Sequence, residues 1–142
     1  MGTIRAICTS AEKGTAKRET GRGELIEQHG LKGDAHAGGG HRQVSLLSLE
    51  KIEAFRAKGA EVEYGDFGEN IIAEGIDFAA LSTGTKLHCG EALLQITQIG
   101  KECIERCAIY HRMGDCIMPR EGIFAIVLKG GIIQTGDAIY AE

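Results

Sequence analysis

A mostly-β fold in one domain spanning residues 1–142, a barrel carrying one or two helices, is what this sequence predicts, and three observations predict it. The chain holds 21 glycines, one proline and no tryptophan in 142 residues, without a low-complexity tract. That composition implies many tight turns and close backbone approaches. Its apolar residues fall in short runs, several with the period of two that marks a half-buried strand. Only one stretch carries apolar groups at helical spacing over several turns.

Taken in chain order, Thr3 to Cys8 (TIRAIC) alternates as an opening strand. The polar AEKGTAKRETGRG after it reads as a long solvated loop. GELIEQHG supplies a second strand. HGLKGDAHAGGGHRQ, from His29 to Gln43, concentrates glycines with three His, one Asp and one Arg. It offers nothing to a core, so it is expected to be a loop ordered by turn chemistry or by a ligand. QVSLL, Gln43 to Leu47, returns to strand character. Ser48 is then placed to cap a helix, with Glu50 near its positive end. Leu49, Ile52 and Phe55 share one helical face, and Gly59 ends it. The segment from Tyr64 to Gly100 alternates glycine-bearing corners with short apolar runs. In EALLQITQI, Ala92, Leu94 and Ile96 fall on one side of a strand and Gln95 and Thr97 on the other. IFAIVLKGGIIQTGDAIYA closes the chain as two or three strands, with Gly130 and Gly131 as a hairpin turn.

Bulk properties narrow the function. A chain of this length buries enough surface to fold without disulfides. A formal net charge of −4 opposes general nucleic-acid binding, which needs clustered Lys and Arg against phosphates. No apolar run is long enough to span a bilayer. MGTIRAICTS has no charged segment leading into an apolar one, and the cysteine count is five. The expectation is therefore a cytoplasmic protein whose thiols stay free.

Three of those cysteines lie in GKECIERCAIYHRMGDC, where Cys103, Cys107, His111 and Cys116 are spaced C-x3-C-x3-H-x4-C. On a helix the first three would share a face, but structural zinc sites usually draw ligand pairs from two separate elements. Burial as small apolar side chains is the competing reading for Cys103 and Cys116. Cys107 has the surroundings of a reactive thiol: Arg106 adjoins it, with Lys101 and Arg112 nearby in sequence, and positive charge favours the thiolate. No order of Ser, His and Asp compels a hydrolase reading.

The glycine-rich loop offers Asp34, His36, His41 and Arg42. It matches neither the phosphate loop of nucleotide-binding folds nor the dinucleotide fingerprint. Glycine still lets backbone N–H groups approach an anion, and Arg42 suits a bidentate phosphate clamp. At a second corner, GDFGEN, Asn70 either hydrogen-bonds a polar heterocycle or closes the turn.

Together, GLKGDAHAGGGHRQVSLLS, FGENIIAEGIDFAAL, GTKLHCGEALLQITQIGKEC and RCAIYHRMGDCIMPREGIFAIVLKGGIIQTGDAI resemble the MOSC domain. This module ends molybdenum cofactor sulfurases and also occurs as short stand-alone proteins. The order and spacing of these motifs carry the resemblance, which runs from about Thr3 to the end of the chain. It implies a MOSC-type β-barrel and a role with the molybdenum cofactor (molybdopterin). The family's characteristic cysteine matches Cys107. RQVSL maps onto Arg42 and Gln43, and GENI onto Glu69 and Asn70; with Asp34, His36 and His41 of the glycine-rich loop and Arg106 beside Cys107, these make up the candidate cofactor-binding set.

Cys107 then either carries sulfur as a persulfide or ligates molybdenum, since both tasks use a soft thiolate. The chain holds no pyridoxal-phosphate-dependent cysteine desulfurase domain, so pyridoxal phosphate enters only through a partner. Three functions stay open: a cofactor-binding or sulfur-carrying protein of cofactor maturation, a molybdenum-dependent reductase of N-hydroxylated compounds fed by a separate electron donor, and a non-catalytic binding module. Expected partners are molybdenum cofactor biosynthesis enzymes and a cysteine desulfurase or electron donor, with neither nucleic acid nor membrane. The chain is expected to be a monomer or homodimer, the dimer using an uncovered edge strand.

Overall fold

The computed structural model describes residues 2–10, 17–35, 37–38, 40, 42–59, 61–100 and 122–142. Eleven strands and one α-helix are formed among them: β1 (Gly2–Thr9), β2 (Arg18–Glu19), β3 (Arg22–Ile26), β4 (Gly30–Leu31), β5 (Val44–Ser48), α1 (Leu49–Ala57), β6 (Ile71–Glu74), β7 (Lys86–Cys89), β8 (Ala92–Ile99), β9 (Ile123–Lys129), β10 (Gly131–Gln134) and β11 (Ala138–Ala141). A 3-10 turn, Phe78–Ala80, adds to these. Seven strands close a barrel in the order β11-β7-β8-β9-β5-β6-β1, sealed by pairing of β1 with β11. Among the described strands only β5 and β6 run parallel, and the helix that connects them is α1. A parallel pair needs such a crossover, which puts α1 on the outer face of the sheet. The mostly-β barrel is the predicted fold, with one helix among the described residues of the one or two expected.

Strand alternation sorts the apolar residues into two cores. Val44, Leu46, Ile71, Leu87, Leu94, Ala125 and Ile139 belong to one that fills the barrel. Leu47, Ile72 and Phe124, their neighbours in sequence, point the other way and meet Ile52 and Phe55 of α1. On β1 the phase changes at a register shift between Ile4 and Ala6. That bulge lets Ile4 and Ile7 face the barrel interior while Ala6 and Cys8 face the helix side.

Four local expectations are corrected. The stretch read as a solvated loop, residues 11–23, is partly built into the fold: Arg18–Glu19 pairs with β1, Arg22 opens β3, and Lys17 is 2% exposed. The loop from His29 to Gln43 does contribute to the core, because β4 buries Leu31 against the barrel cluster. Gly130 and Gly131 do not form a hairpin. β9 stays in the barrel between β8 and β5, whereas β10 leaves to pair with β3 in a separate three-stranded sheet. Both glycines are needed for close packing: a Cβ on Gly130 would lie 2.6 Å from the Leu25 carbonyl oxygen, and one on Gly131 2.8 Å from Glu91 Cβ. Ser48 does hold the N-cap position of α1, but its side chain makes no capping hydrogen bond. Glu50 in the first turn instead accepts the Gly75 N–H at 2.8 Å. No helix among the described residues is long and apolar enough to cross a membrane.

Candidate functional site

On the helix side of the barrel, one row of the sheet carries polar side chains on either side of an aromatic one. β5 enters it with Ser45, which lies opposite Phe124 of β9; Phe124 lies opposite Gln98 of β8. Asn70, just before β6, extends the row on the other flank by donating its N–H to the Ser45 carbonyl at 2.9 Å. Thus Asn70, Ser45, Phe124 and Gln98 cross four adjacent strands in order.

Asn70 is 1% exposed and its amide is used within the chain. Oδ1 accepts the Ser45 backbone N–H at 2.9 Å and is 3.2 Å from the Ser45 hydroxyl; Nδ2 donates to the Cys8 carbonyl at 3.1 Å. The Cys8 N–H returns a bond to the Asn70 carbonyl at 2.7 Å. The residue therefore ties the ends of β1, β5 and β6 together, as a satisfied buried amide does.

Beyond Asn70 stands a buried ion pair. Lys17 Nζ lies 2.7 Å from Asp34 Oδ1, with both side chains 0% exposed, and the same carboxylate oxygen accepts the Ser10 N–H at 3.1 Å. Burial pushes the Asp34 carboxyl upward, but the hydrogen bond from Lys17 and those from Ser10 and the Asn70 side chain outweigh it and hold it below the usual carboxylate range. Asp34 begins the glycine-rich loop, so that loop is anchored to the segment before β2. Gln43 anchors its far end: Nε2 donates to the Gly40 carbonyl at 3.0 Å, and Oε1 accepts the Val127 N–H at 3.0 Å.

The corner at residues 63–70 covers the row. Gly65 takes φ +96°, and a side chain there would run into the Lys17 carbonyl. The Lys17 N–H donates to the Gly65 carbonyl at 3.0 Å, and Ser45 Oγ donates to the Gly68 carbonyl at 3.0 Å. Glu69 follows, fully buried. Its Oε1 accepts the Phe67 N–H at 3.0 Å, while Oε2 has no hydrogen-bond partner among the described residues. Burial raises its carboxyl to about 7; the amide dipoles of Glu69, Gly65 and Phe67 oppose that and the Asp66 charge adds to it. Burial, then Glu69 and Glu19, push the Cys8 thiol up to about 12. Cys8 is consequently no nucleophile in the folded protein.

At the opposite end of the row, Arg42 is exposed. Its Nε donates to Gln98 Oε1 at 3.0 Å and its guanidinium carbon lies 5.2 Å from the Phe124 ring centroid. Gln98 Nε2 donates on to the Gly100 carbonyl at 2.8 Å, and the Gly100 N–H meets the Gly122 carbonyl at 2.7 Å. Gly100 and Gly122 are the two roots of the segment that carries Cys103, Cys107, His111 and Cys116. A chain of contacts therefore joins the end of the glycine-rich loop to the base of that segment.

Of the residues singled out from sequence, Asp34, Gln43, Glu69 and Asn70 are buried, with Asp34, Glu69 and Asn70 grouped around Cys8 and Lys17, and Arg42 stands at the other end of the row. His36, His41, Arg106 and Cys107, together with the cysteine and histidine spacing considered for zinc, lie outside the described residues. Among the described residues no group of His, Cys, Asp and Glu is arranged to hold a metal. Lys17, Ser45, Gln98 and Phe124 were not anticipated. Ser45 alone left a signal, a hydroxyl inside the otherwise apolar VSLL.

Comparison with known proteins adds three findings. The family model described as MOSC domain matches residues 33–140. Among solved structures, the YuaD protein from Bacillus subtilis superposes with a TM-score of 0.80 at 20% identity, covering 98% of this chain and 94% of that one. YiiM from Geobacillus stearothermophilus gives 0.77 at 20% identity over 100% and 75%, and YiiM from Escherichia coli 0.65 at 17% over 99% and 69%. At these identities the likeness shows a shared fold. Comparison with curated proteins gives no match.

Proposed function

The chain belongs to the MOSC domain family, linked to molybdenum cofactor binding or sulfur-related functions, and from that premise we propose that this protein binds the molybdenum cofactor and presents sulfur to it on Cys107. The observation that carries the reading is the polar row. It connects the glycine-rich loop, through Arg42 and Gln98, to the roots of the segment containing Cys107.

The residues present fit an anionic, heterocyclic group. Gly38 and Gly40 have nothing within 4 Å of where a Cβ would be, so a phosphate can approach the backbone there, and Gly38 adopts φ +158°. Arg42 is exposed, with Nε fixed by Gln98 and the plane laid near Phe124. Such a guanidinium is pre-oriented for a bidentate contact with phosphate. When bound, the cofactor supplies a molybdenum centre that accepts sulfur.

Cys107 would take the sulfur first. Its thiolate attacks the outer sulfur of a persulfide on a partner, an S–S bond breaks, and the partner's thiolate leaves; the persulfide is now on Cys107 and no net oxidation has occurred. Arg106, next in sequence, favours the thiolate. The partner would be a cysteine desulfurase, whose own pyridoxal phosphate releases the sulfur, acting beside the enzymes that assemble the cofactor in the cytoplasm.

The test is mass spectrometry of gently purified protein and of Cys107→Ser. The reading expects an increment of one sulfur atom on a peptide containing Cys107, and pterin fluorescence in the released small-molecule fraction. The serine variant should keep the fold and the pterin and lose the sulfur. Sulfur transfer unchanged in that variant refutes the role of Cys107.

A further inference from the structure

Glu69 combines two properties that do not coexist comfortably in a folded protein: it is fully buried, and one of its carboxyl oxygens has no hydrogen-bond partner among the described residues. A buried carboxylate in that state is costly, and the charge part of that cost is removed if the group is protonated or if the surrounding chain opens to water. We propose that the corner at residues 65–70 is a proton-operated latch on the candidate site, shut while Glu69 is protonated and loosened when Glu69 ionises.

The groups that face Glu69 support this. From its own corner comes the Asp66 carboxylate, which repels a second negative charge. From β1 comes the neutral Cys8 thiol, around which Glu19 and Lys17 also act. Lys17, which acts on that same thiol, already meets Asp34 at 2.7 Å. An ionised Glu69 thus gains a repulsive neighbour in Asp66, while Lys17 is already engaged by the Asp34 carboxylate.

Opening has defined consequences. The corner is held by Lys17 N–H to the Gly65 carbonyl, Ser45 Oγ to the Gly68 carbonyl, and Phe67 N–H to Glu69 itself. The first two bonds connect it to the anchor of the glycine-rich loop and to the polar row. That the latch governs ligand access rests on the proposed function; its existence does not.

The direction follows from linkage. Burial holds the Glu69 carboxyl at about 7 in the shut corner, whereas an opened corner returns it toward the ordinary 4.5. The shut form therefore binds the proton more tightly. Its opening constant rises about ten-fold per pH unit between roughly 4.5 and 7, then levels off once Glu69 is ionised in both forms.

The experiment is native-state hydrogen exchange by NMR on the full chain from pH 5 to 8, corrected for intrinsic chemical exchange. Protection at the amides of Lys17, Phe67 and Asn70 is expected to fall steeply to about pH 7 and then flatten, while amides of β7 and β8 show no such step. Glu69→Gln should remove the step. If that variant does not fold, Asp66→Asn serves, since deleting the neighbouring charge should move the flattening to lower pH. A wild-type corner with pH-independent protection, a step that survives Glu69→Gln, or an unmoved step in Asp66→Asn overturns the latch. A step present in a chain that binds no pterin sinks the cofactor reading and leaves the latch standing.

Discussion

Replacing Lys17 with Met should cost this protein about 3 kcal/mol, the lower end of what breaking a buried ion pair costs. The side chain is 0% exposed and its ammonium lies 2.7 Å from Asp34, so methionine fills similar space and removes only the charge and its bonds. The Asp34 carboxylate would remain buried, but it would keep the Ser10 N–H at 3.1 Å. That retained bond is why the lower end applies. Three kcal/mol corresponds to a shift of about a hundred-fold in the unfolding equilibrium.

Urea unfolding at pH 7 reads the shift as a lower midpoint at unchanged slope. Asp34 supplies a second reading. Its folded pKa is depressed, so the stability it contributes is present above its ordinary value of 3.8 and is lost as pH falls through the lower, folded one. The gap between wild type and Lys17→Met should accordingly narrow in acid. Adding Asp34→Asn to Lys17→Met keeps an acceptor for Ser10 and removes the stranded charge, so the double variant should be more stable than Lys17→Met alone. If Lys17→Met stays within about 0.5 kcal/mol of wild type, or if the double variant is no better, the pair does not anchor the loop.

Gly65→Ala should destabilise by about 2–4 kcal/mol in thermal unfolding, because φ +96° is strained for alanine and its Cβ meets the Lys17 carbonyl. Gly21→Ala is the control, with φ +73° but open space around the new methyl, and should cost about 1 kcal/mol. Cys8 and Cys89 should resist maleimide at pH 8 until urea unfolds the chain, since both are buried and burial pushes each thiol up to about 12; rapid labelling of either in the native protein would contradict their placement. Asn70→Ala should lower stability by about 3 kcal/mol by leaving the Cys8 carbonyl and Ser45 N–H without their partner, and an unchanged melting temperature would show that the three strand ends are tied by other means.

What could be read from sequence was what depends on near neighbours. The alternation of Ala92, Leu94 and Ile96 against Gln95 and Thr97 gave β8 its faces, and Leu49, Ile52 and Phe55 marked the buried side of α1. Pairings between distant segments left no such trace. Gly130-Gly131 has the composition of a hairpin, and only the register of Ile132 with Glu24 reveals that β10 belongs to another sheet. Lys17 was hidden for the same reason: within AKRET it is one charge among several, and its burial is decided by Asp34, seventeen residues away. Asp34, Glu69 and Asn70 stood out as polar groups among glycines, but their hydrogen bonds within the chain depend on β1, β5 and β6 meeting at one point.

The location of the site follows from how the barrel is filled. Val44, Leu46, Ile71 and Leu94 occupy its interior, so the candidate site lies on an outer face. That face has two halves. α1 covers one with Ile52 and Phe55 against Leu47 and Ile72, the apolar solution that stability alone would favour throughout. Over the other half, Ser45 and Asn70 lie under the corner of Gly65 to Glu69, and Phe124 lies under the guanidinium of Arg42. Buried polar networks of this kind roughly break even against apolar packing and demand every bond in place. Where a longer helix could have sealed the sheet, the described residues instead place a carboxyl with an oxygen unpartnered among them and an exposed cation, and that departure is the physical reason to put the candidate site there.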